Sequence, residues 1–432
     1  MKISVIGAGY VGLTVASCLA DMGNDVICVD KNSEKINALK NGIISFFEPG
    51  LSEIIKLNSE KNLLNFSTNL TDAVRNSEVC FITVGTPQAP DGSTDLSFVF
   101  DATKKIAESM NGYKLIINKS TTPPGTAKKI AEIIRKYSDY PFDVASNPEF
   151  LRQGSAIKDF MYPNRIIIGT DNDKVKSILD EIYSPFLKQN IKFVYMDTVS
   201  AEMTKYAANC FLATKISYMN ELANLCEKTG ANIKNVEEGI GTDPRIGNEF
   251  LSSGLGYGGS CLPKDIKSLI KTGENLSCKM NILEAVDKVN QNQKHIFLNK
   301  IYEKFGHDLS TRTIAIWGLT FKPNTDDLRE APSVTIINDL ISSGAKVAAY
   351  DPKVKNNAKN LFHQNVIFVE NQYDVLINAD ALLLLTEWDE FKNPDFEKMK
   401  TLMKTPVIFD GRNIYDSKDL SEKSFECRQT GM

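Results

Sequence analysis

The sequence has few of the residues that usually carry metal, disulfide or histidine chemistry. Its 432 residues include three histidines, at positions 295, 307 and 363, and none of them stands in a recognisable motif. Proton transfer by histidine is therefore not expected, and lysine, glutamate, aspartate or water must replace it. The eight cysteines are scattered without a CxxC pair, which argues against a zinc site or a disulfide framework. We expect no bound metal and mostly reduced cysteines.

Long apolar runs and an excess of one charge are also lacking. The longest apolar stretches, such as ALLLL at 381–385, are far shorter than the roughly 20 residues of a membrane span. No segment resembling a secretory signal opens the sequence, so we expect a cytoplasmic protein without a membrane partner. A formal net charge of −4 provides no basic field, so nucleic acid is not an expected partner either.

A dinucleotide fingerprint opens the sequence. KISVIGAGYVG predicts a strand, a turn at Gly7, Gly9 and Gly12, and a helix, and DVICVD predicts the next strand. The glycines allow the backbone to approach a pyrophosphate at the helix N-terminus. Asp30, at the end of the second strand, suits the hydroxyl groups of an adenosine ribose and repels a 2′-phosphate. The pattern predicts an NAD site, and the alternative is a tight turn in a non-binding βαβ unit.

Three further strand-like runs end in polar or turn residues. They are EVCFITVGTP (78–87), YKLIINKST (113–121) and FDVASNPEF (142–150). In doubly wound sheets ligands lie beyond the carboxyl ends of the strands, so we expect the polar residues there to line one crevice. These residues are Thr86, Ser120, Thr121 and Glu149. Any one of them alone would be an ordinary loop residue.

The rest of the pattern predicts a helical middle and a second α/β unit. Residues 198–230 form a long helix-periodic stretch that stops at Gly230. Lys205 and Asn209 share one face of this helix, although such a pair alone is usually a solvated surface pair. RTIAIWGLTFKP begins a second strand, turn, helix and strand series in which only Gly318 remains of the fingerprint glycines. We therefore expect an α/β fold of two Rossmann-like doubly wound domains, joined by a long central helix and a helical middle region.

Cys261 follows a glycine-dense stretch, GLGYGGSCLPKD at 254–265. Such a density of glycine predicts a loop whose backbone lies close to another group. A free cysteine is usually a core residue, but Pro263, Lys264 and Asp265 follow this one, which favours a nucleophile. A thiolate that adds to an aldehyde gives a thiohemiacetal, which a second oxidation converts into a thioester and water into an acid. The cation of Lys264 favours the thiolate form.

Together these motifs resemble the UDP-glucose/GDP-mannose dehydrogenase family. The resemblance is carried, in chain order, by GAGYVG, FEPGL, VGTP, KST, SNPEFLRQG, AEMTKYAANCFLATKISYMNE, GTDPRIG, GLGYGGSCLPKD, GLTFKPNTDDLRE, YDP and FDGR. It implies an NAD-binding domain (1–197), a central helical domain with the dimerisation helix and the cysteine loop (198–295), and a UDP-sugar-binding domain (296–432). The implied reaction is the oxidation of a sugar C6 alcohol to the acid by two NAD. NCFLATKISYMNE is similar to the UDP-glucose branch, and the UDP-N-acetylhexosamine and GDP-mannose branches are the alternatives.

The resemblance also implies a role for individual residues. Cys261 would be the nucleophile, Glu149 the base of thioester hydrolysis, and Thr121 a neighbour of the reacting carbon. The residues that would polarise the C6 oxygen, order water and stabilise the oxyanion are Lys205, Asn209 and Asp265. The implied cofactor contacts are Gly7, Gly9, Tyr10, Val11, Gly12, Asp30, Lys35, Thr86, Thr121, Gln153, Lys264 and Arg329. The implied substrate contacts are Phe150, Leu151, Arg152, Lys205, Asn209, Arg245, Phe250, Leu251, Tyr257, Gly258, Phe321, Lys322 and Arg412, with Arg245 supplied by the other subunit of a homodimer.

The sequence departs from the family pattern at a few positions. Gln153 stands where many members have a glutamate, and its amide keeps hydrogen bonding but loses a charge. Three more differences lie at Thr122, Pro124 and Asn164. Two other functions remain as alternatives. A non-catalytic sugar-nucleotide-binding protein would have lost its reactive groups, and a two-electron dehydrogenase would stop at the aldehyde and form one NADH per sugar.

Overall fold

The computed structural model of the chain describes residues 1–354, 358, 361, 362 and 366–432, so His363 lies outside the described residues. The chain divides into two compact units, Met1–Ala208 and Asn209–Met432. Each unit contains a Rossmann-like sheet, and a 32-residue helix runs through the boundary, which confirms the predicted fold class. The division of the chain at residues 197 and 295 stays a prediction.

The first unit is built on an eight-stranded sheet. Its strands are β1 (Lys2–Ile6), β2 (Asp25–Val29), β3 (Leu64–Ser67), β4 (Val79–Ile82), β5 (Lys114–Asn118), β6 (Phe142–Ser146), β7 (Arg165–Gly169) and β8 (Lys192–Met196). They lie in the order β3-β2-β1-β4-β5-β6-β7-β8, and β7 pairs with β6 in the antiparallel direction. The chain order reverses between β1 and β4. The carboxyl ends of these strands therefore border a switch point, which is the usual ligand position in such sheets.

Helices cover this sheet. They are α1 (Tyr10–Asp21), α2 (Ser33–Lys40), α3 (Leu51–Glu60), α4 (Leu70–Arg75), α5 (Ser97–Ser109), α6 (Thr126–Tyr137), α7 (Ala156–Met161), α8 (Asp173–Ile182) and α9 (Ser184–Leu187). The central strands are mostly apolar because both of their faces are buried. Ile3 and Val5 pack into one core, while Ile6 and Ile82 pack into another. Each such buried side chain stabilises the fold by roughly 1.5–3 kcal/mol.

The middle of the chain is helical, as predicted. Helix α10 (Thr198–Thr229) ends where Gly230 adopts a φ of +77°, a conformation that glycine tolerates without strain. The helices α11 (Ile233–Gly241), α12 (Leu262–Asn275) and α13 (Asn281–Phe305) follow it. Asn232 caps the N-terminus of α11, because its side chain accepts a hydrogen bond from Lys234 N in the first turn.

The second unit carries a parallel sheet that comprises six strands among the described residues. These strands are β9 (Thr313–Trp317), β10 (Lys346–Tyr350), β11 (Val366–Phe368), β12 (Ala381–Leu384), β13 (Val407–Asp410) and β14 (Glu426–Gln429), in the order β11-β10-β9-β12-β13-β14. The helices around them are α14 (Pro332–Ser342), α15 (Asp389–Lys392), α16 (Phe396–Leu402) and α17 (Ser417–Glu422). Gly318 follows β9 with a φ of +85°, so the second Rossmann-like start that the sequence predicts is confirmed. Within the described part of the chain, no helix has both the length and the apolar character of a membrane span.

Candidate active site

The glycine fingerprint forms a tight turn between β1 and α1. A Cβ at Gly7 would lie 2.9 Å from Thr83 O, and a Cβ at Gly12 would lie 1.7 Å from Gly7 O. These two glycines therefore allow the turn to pack against the sheet. Gly9 faces open space and precedes α1, whose first turn contains no acidic residue and is not capped by any side chain of the described residues. The amide groups at this positive helix end suit a pyrophosphate, so the turn fits NAD.

Asp30 lies beside this turn, as the sequence predicts. Its Oδ2 accepts hydrogen bonds from Ala8 N at 3.0 Å and Lys35 Nζ at 2.9 Å, and its Oδ1 accepts one from Asn32 N at 3.0 Å. Burial opposes ionisation of Asp30, but the hydrogen bonds from Asn32, Lys35 and Ala8 outweigh it and hold the carboxyl pKa below its usual value. The ionised carboxylate suits ribose hydroxyl groups and repels a 2′-phosphate. Asp30 therefore fits NAD, and Lys35 is its ion-pair partner.

A small pocket lies beyond the carboxyl ends of β5 and β6 in the first unit. Its lining residues are Asn118, Ser120, Thr121, Thr122, Ser146, Pro148, Glu202 and Lys205. The structure therefore brings two of the predicted catalytic residues, Thr121 and Lys205, to one pocket. Ser120 Oγ donates a hydrogen bond to Val84 O at 2.8 Å, which joins the ends of β4 and β5. Thr86 lies half-buried two residues beyond Val84.

Glu149 and Lys205 form a buried ion pair. Lys205 Nζ lies 3.3 Å from Glu149 Oε1, and their side chains are 6% exposed for Glu149 and 5% exposed for Lys205. Glu149 Oε2 also accepts a hydrogen bond from Leu151 N. Lys205 Nζ lies 5.1 Å from the centre of the Phe150 ring, which the Arg165 guanidinium approaches to 3.8 Å. The predicted base and the predicted oxygen-polarising cation thus hold each other in place.

Two further buried charged residues, which the sequence motifs did not predict, lie near this ion pair. Lys119, in the KST motif, donates a hydrogen bond to Asn147 Oδ1 at 2.9 Å. Burial lowers its pKa to about 8, with Glu149 opposing this effect and Lys205 adding to it. Glu202 accepts hydrogen bonds from Gly125 N and Ala127 N at the start of α6, although burial raises its pKa to about 7. For Lys119 the available signal was a lysine directly after the strand-like run KLIIN.

In the second unit, Cys261 lies exposed at the N-terminus of α12. The glycines before it allow a close approach, as predicted, but the approach is to the protein's own chain. A Cβ at Gly258 would lie 2.3 Å from Glu330 O, and a Cβ at Gly259 would lie 2.8 Å from the Phe321 ring. Gly259 N also donates a hydrogen bond to Arg329 O at 2.8 Å. The cysteine loop therefore packs against residues 321–330.

Arg329 supplies a positive charge to Cys261. Its hydrogen bond to Asp327 raises the Arg329 pKa, burial opposes the rise, and attraction to Cys261 adds to it. Because this attraction is mutual, the guanidinium favours the Cys261 thiolate, and the positive end of α12 acts in the same direction. Lys264, the cation that the sequence places near the thiol, has its ammonium 2.5 Å from Asp265 Oδ1. Arg329 was expected only as a cofactor contact.

Asn209 and Asp265 are joined in the second unit. Asn209 Nδ2 donates a hydrogen bond to Asp265 Oδ2 at 2.6 Å, and Asp265 is 1% exposed. Lys264 donates to the other carboxylate oxygen, so the buried charge is matched by an amide and a cation. Lys205 and Asn209 are one turn apart on α10, as predicted.

The predicted substrate residues differ in how their side chains are used. Arg412 donates from Nε to Leu385 O at 2.8 Å and from Nη2 to Phe321 O at 3.0 Å, so it holds the chain at Phe321. Leu251 is 2% exposed and packs with Met219 and Ala223, which leaves only its backbone for a ligand. The remaining predicted contacts in this unit are the half-buried Phe250, with a φ of +65°, the buried Tyr257, and Lys322, whose Nζ lies 5.6 Å from the Phe321 ring.

Two predicted substrate arginines have acidic partners close by in the chain. Arg152 Nη2 lies 2.7 Å from Asp159 Oδ1 in the first unit. Arg245 Nη2 lies 2.5 Å from Asp243 Oδ2 in the second unit, and the Arg245 side chain is 87% exposed. The Arg245 side chain is therefore largely in solvent.

Comparison with known proteins assigns all three parts of the chain to one family. Residues 1–187 match the NAD binding domain of the UDP-glucose/GDP-mannose dehydrogenase family. Residues 199–292 match the central domain of that family, and residues 315–417 match its UDP binding domain. The cofactor is therefore NAD, as the glycine turn and Asp30 indicate.

Individual relatives span the whole chain. A UDP-glucose 6-dehydrogenase of Rhizobium meliloti (strain 1021) is 43% identical over 435 residues, which cover 100% of this chain and 99% of the relative. A UDP-glucose 6-dehydrogenase of Bacillus subtilis (strain 168) is 44% identical over 432 residues, which cover 100% of this chain and 93% of the relative. The solved structure of a UDP-glucose dehydrogenase from Pyrobaculum islandicum has a TM-score of 0.90 at 35% identity. The match covers 96% of this chain and 95% of that structure. With the glycine turn, the buried Glu149–Lys205 pair and the exposed Cys261 in place, the chain belongs to the UDP-glucose/GDP-mannose dehydrogenase family and is an NAD-dependent dehydrogenase.

Proposed function

We propose that this dehydrogenase oxidises the C6 alcohol of UDP-glucose to the carboxylate of UDP-glucuronate, consuming two NAD⁺ and one water and releasing two NADH. The observation that carries the proposal is Cys261, an exposed thiol at a helix N-terminus beside Arg329. A dehydrogenase that stops at an aldehyde needs no nucleophile, whereas a thiol gives one that proceeds to the acid a covalent route through a thiohemiacetal and a thioester. The substrate follows from the relatives at 43% and 44% identity, both of them UDP-glucose 6-dehydrogenases.

The proposed reaction proceeds through covalent intermediates on Cys261. NAD supplies the hydride acceptor for both oxidations. Once the C6 alcohol has become an aldehyde, the Cys261 thiolate adds to the carbonyl carbon, and the oxygen takes up a proton to give a thiohemiacetal. Loss of a hydride and a proton then gives a thioester. Water adds to the thioester carbon, the C–S bond breaks to release the Cys261 thiol, and the acid that forms loses a proton to give the carboxylate.

Charge must be stabilised at the C6 oxygen in each of these steps. Lys205, Asn209 and Asp265 are assigned this role, since preorganised polar groups at a developing oxyanion lower the barrier. Glu149, 3.3 Å from Lys205, is assigned the removal of a proton from the attacking water. Thr121, in the same pocket as Lys205, is assigned a position beside the reacting carbon. The other cofactor and substrate contacts, and the three-part division at residues 197 and 295, belong to the same proposal.

Product stoichiometry tests the four-electron reaction. We expect two NADH for each UDP-glucose consumed, with UDP-glucuronate as the product. Absorbance gives the NADH yield and mass spectrometry identifies the sugar nucleotide. One NADH per sugar, with the aldehyde as product, would establish the two-electron alternative.

The same assay with other sugar nucleotides tests the substrate. A UDP-D-ManNAc dehydrogenase of Pyrococcus horikoshii is a solved structure with a TM-score of 0.87 at 30% identity, so an N-acetylhexosamine is the second candidate sugar. We expect a higher kcat/KM with UDP-glucose than with UDP-N-acetylglucosamine, UDP-N-acetylmannosamine or GDP-mannose. Faster turnover of any of these three would replace UDP-glucose as the proposed substrate.

We also propose a homodimer that forms on α10. Phe211, Tyr218 and Leu225 are spaced seven residues apart and are 66%, 56% and 56% exposed, so they form an apolar stripe on one side of the helix. Such a stripe on a helix surface is typical of a protein interface. Arg245 then reaches the substrate site of the partner subunit.

Light scattering tests the dimer. We expect twice the chain mass of 48.0 kDa for the wild type and the monomer mass for Phe211→Glu, because burying an unpaired charge in the apolar stripe opposes association. The matched control is Leu276→Glu, at a residue that is 74% exposed outside α10. A monomeric wild type, or a Phe211→Glu variant that remains dimeric, would argue against this interface.

A cytoplasmic location is part of the proposal. All eight cysteines lie in the described part of the chain and none of them forms a disulfide, whereas disulfides persist in oxidising compartments. Fractionation of cells that express the protein tests this location.

A further inference from the structure

Glu48, in the FEPGL segment, is a buried carboxylate without an assigned role. It is 5% exposed. Its Oε2 accepts hydrogen bonds from the Tyr10 hydroxyl at 2.8 Å and from Gly154 N at 2.6 Å, and its Oε1 accepts one from Ala156 N at 2.7 Å. A buried carboxylate is costly unless several donors satisfy it, and these three come from two separate parts of the first unit.

The first of these parts is the glycine turn. Tyr10 is the first residue of α1 and follows Gly9, so its backbone belongs to the turn that fits the NAD pyrophosphate. The Tyr10 ring lies 5.4 Å from the Phe46 ring, centre to centre, which fixes the direction of the side chain. The Tyr10 side chain therefore links the glycine turn rigidly to the groups that its hydroxyl contacts.

The second part is the loop 152–156, which surrounds Gln153. The Tyr10 hydroxyl lies 3.0 Å from Arg152 O, and Gly154 N donates to Glu48. The peptide groups on both sides of Gln153 thus contact the Glu48–Tyr10 pair. Gly154 has a φ of +82°, so the loop adopts a conformation here that few residues other than glycine accept. The position of Gln153 is therefore set by Glu48 and Tyr10, although both lie far from it in sequence.

We propose that Glu48 is a positioning residue for NAD, which acts by holding the loop around Gln153 in register with the glycine turn. The proposal rests on the NAD-dependent part of the proposed function and not on the identity of the sugar. If Glu48 loses an acceptor oxygen, the loop around Gln153 is no longer held before NAD binds. Binding must then order this loop, and the entropy cost of that ordering reduces the affinity for NAD. The predicted effect is therefore on binding, without any contact between Glu48 and the reacting atoms.

Calorimetric titration with NAD⁺, in the absence of any sugar nucleotide, tests this role. Two variants are used. In Glu48→Gln an NH2 group replaces one carboxylate oxygen and cannot accept the hydrogen bond from Gly154 N or Ala156 N. Tyr10→Phe removes the hydroxyl that donates to Glu48. We expect each to weaken NAD⁺ binding by about tenfold, the usual effect of losing a hydrogen bond to a charged group. The double variant is expected to bind NAD⁺ no less tightly than the more impaired of the two single variants, because both substitutions act through the same contact. In steady-state assays the KM for NAD rises, and the KM for UDP-glucose does not.

Thr103→Val is the matched control. Thr103 is a fully buried residue of α5 whose hydroxyl donates to Val99 O at 2.7 Å, so the variant loses a buried hydrogen bond in the same unit. We expect it to lower the melting temperature and to leave the Kd for NAD⁺ within about twofold of the wild type, because its contact lies outside the glycine turn and the Gln153 loop.

The outcomes separate the possible roles of Glu48. If Glu48→Gln and Tyr10→Phe lower the melting temperature as Thr103→Val does but bind NAD⁺ like the wild type, Glu48 is only structural and the proposal is overturned. Additive losses in the double variant would also overturn it. If Glu48→Gln does not fold, Tyr10→Phe decides alone, because it changes a single atom of the same contact. Because no sugar is present, the titration remains interpretable even if UDP-glucose proves not to be the substrate.

Discussion

Replacement of Cys261 by serine is expected to reduce the formation of UDP-glucuronate by at least about 10³-fold, the scale seen when a catalytic nucleophile is removed. The serine hydroxyl is not ionised near neutral pH, so Arg329 and the N-terminus of α12 have no anion to stabilise. Oxidation then stalls before the thioester stage. NADH release and the yield of the acid measure the loss. UDP-glucose binding, measured by calorimetry, is expected to persist because the UDP contacts are unchanged.

Cys278→Ser provides the control for this experiment, since Cys278 is the other exposed cysteine. It is expected to retain wild-type stoichiometry and rate. A wild-type yield of the acid from Cys261→Ser would remove the nucleophile from the proposed reaction. An equal loss in Cys278→Ser would indicate that exposed thiols affect the enzyme in some other way.

Lys205→Met is expected to have the second large effect, on both activity and stability. Loss of one preorganised group at a developing oxyanion typically reduces kcat by about 10²–10³. Removal of Lys205 also leaves Glu149 as a buried carboxylate without its 3.3 Å partner. Breaking a buried ion pair costs about 3–5 kcal/mol of unfolding free energy, and we expect the lower end because Lys119 remains near Glu149. Steady-state kinetics and denaturant unfolding measure the two effects.

The double variant Lys205→Met/Glu149→Gln separates them. With both charges removed, neither member of the pair is left as an uncompensated buried charge, so we expect stability to recover and activity to stay low. Lys105→Met is the control, because Lys105 pairs with Asp101 at 3.0 Å with both side chains about half exposed. An exposed pair contributes about 0–1 kcal/mol. Recovered activity in the double variant would mean that Lys205 serves only to balance Glu149.

Local features of the sequence predicted much of the fold. The turn at Gly7 and Gly12 has a local signature, because it requires residues without a side chain at two fixed positions of one short segment. The end of α10 at Gly230 is equally local, since a left-handed residue terminates the helix. The strand ends that carry Thr121 and Glu149 followed from the apolar runs before them. In each case the physical cause lies within a few residues of its effect.

The parts that were missed depend on contacts between distant segments. Glu48 interacts with Gly154 and Ala156, over 106 and 108 residues, and nothing near FEPGL indicates those donors. The Lys119 pKa is lowered by burial that the tertiary fold creates, while Glu149 raises it and Lys205 lowers it further. Lys264, which was expected to favour the thiolate, also pairs with Asp265, and Arg329 on a distant segment is a further cation that attracts Cys261. The residue types indicated which groups could be charged or reactive, and tertiary packing determined which groups they contact.

The packing of Gly259 against Phe321 also constrains how this chain can evolve. A side chain at position 259 would meet the Phe321 ring at 2.8 Å and would have to tolerate a φ of +81°. A smaller residue at position 321 would remove the first obstacle and leave the second. Replacement of Gly259 is therefore disfavoured whatever residue stands at position 321, and related sequences should keep this glycine even where position 321 differs. The loop that carries the thiol thus takes its shape from a ring on a distant segment of the chain.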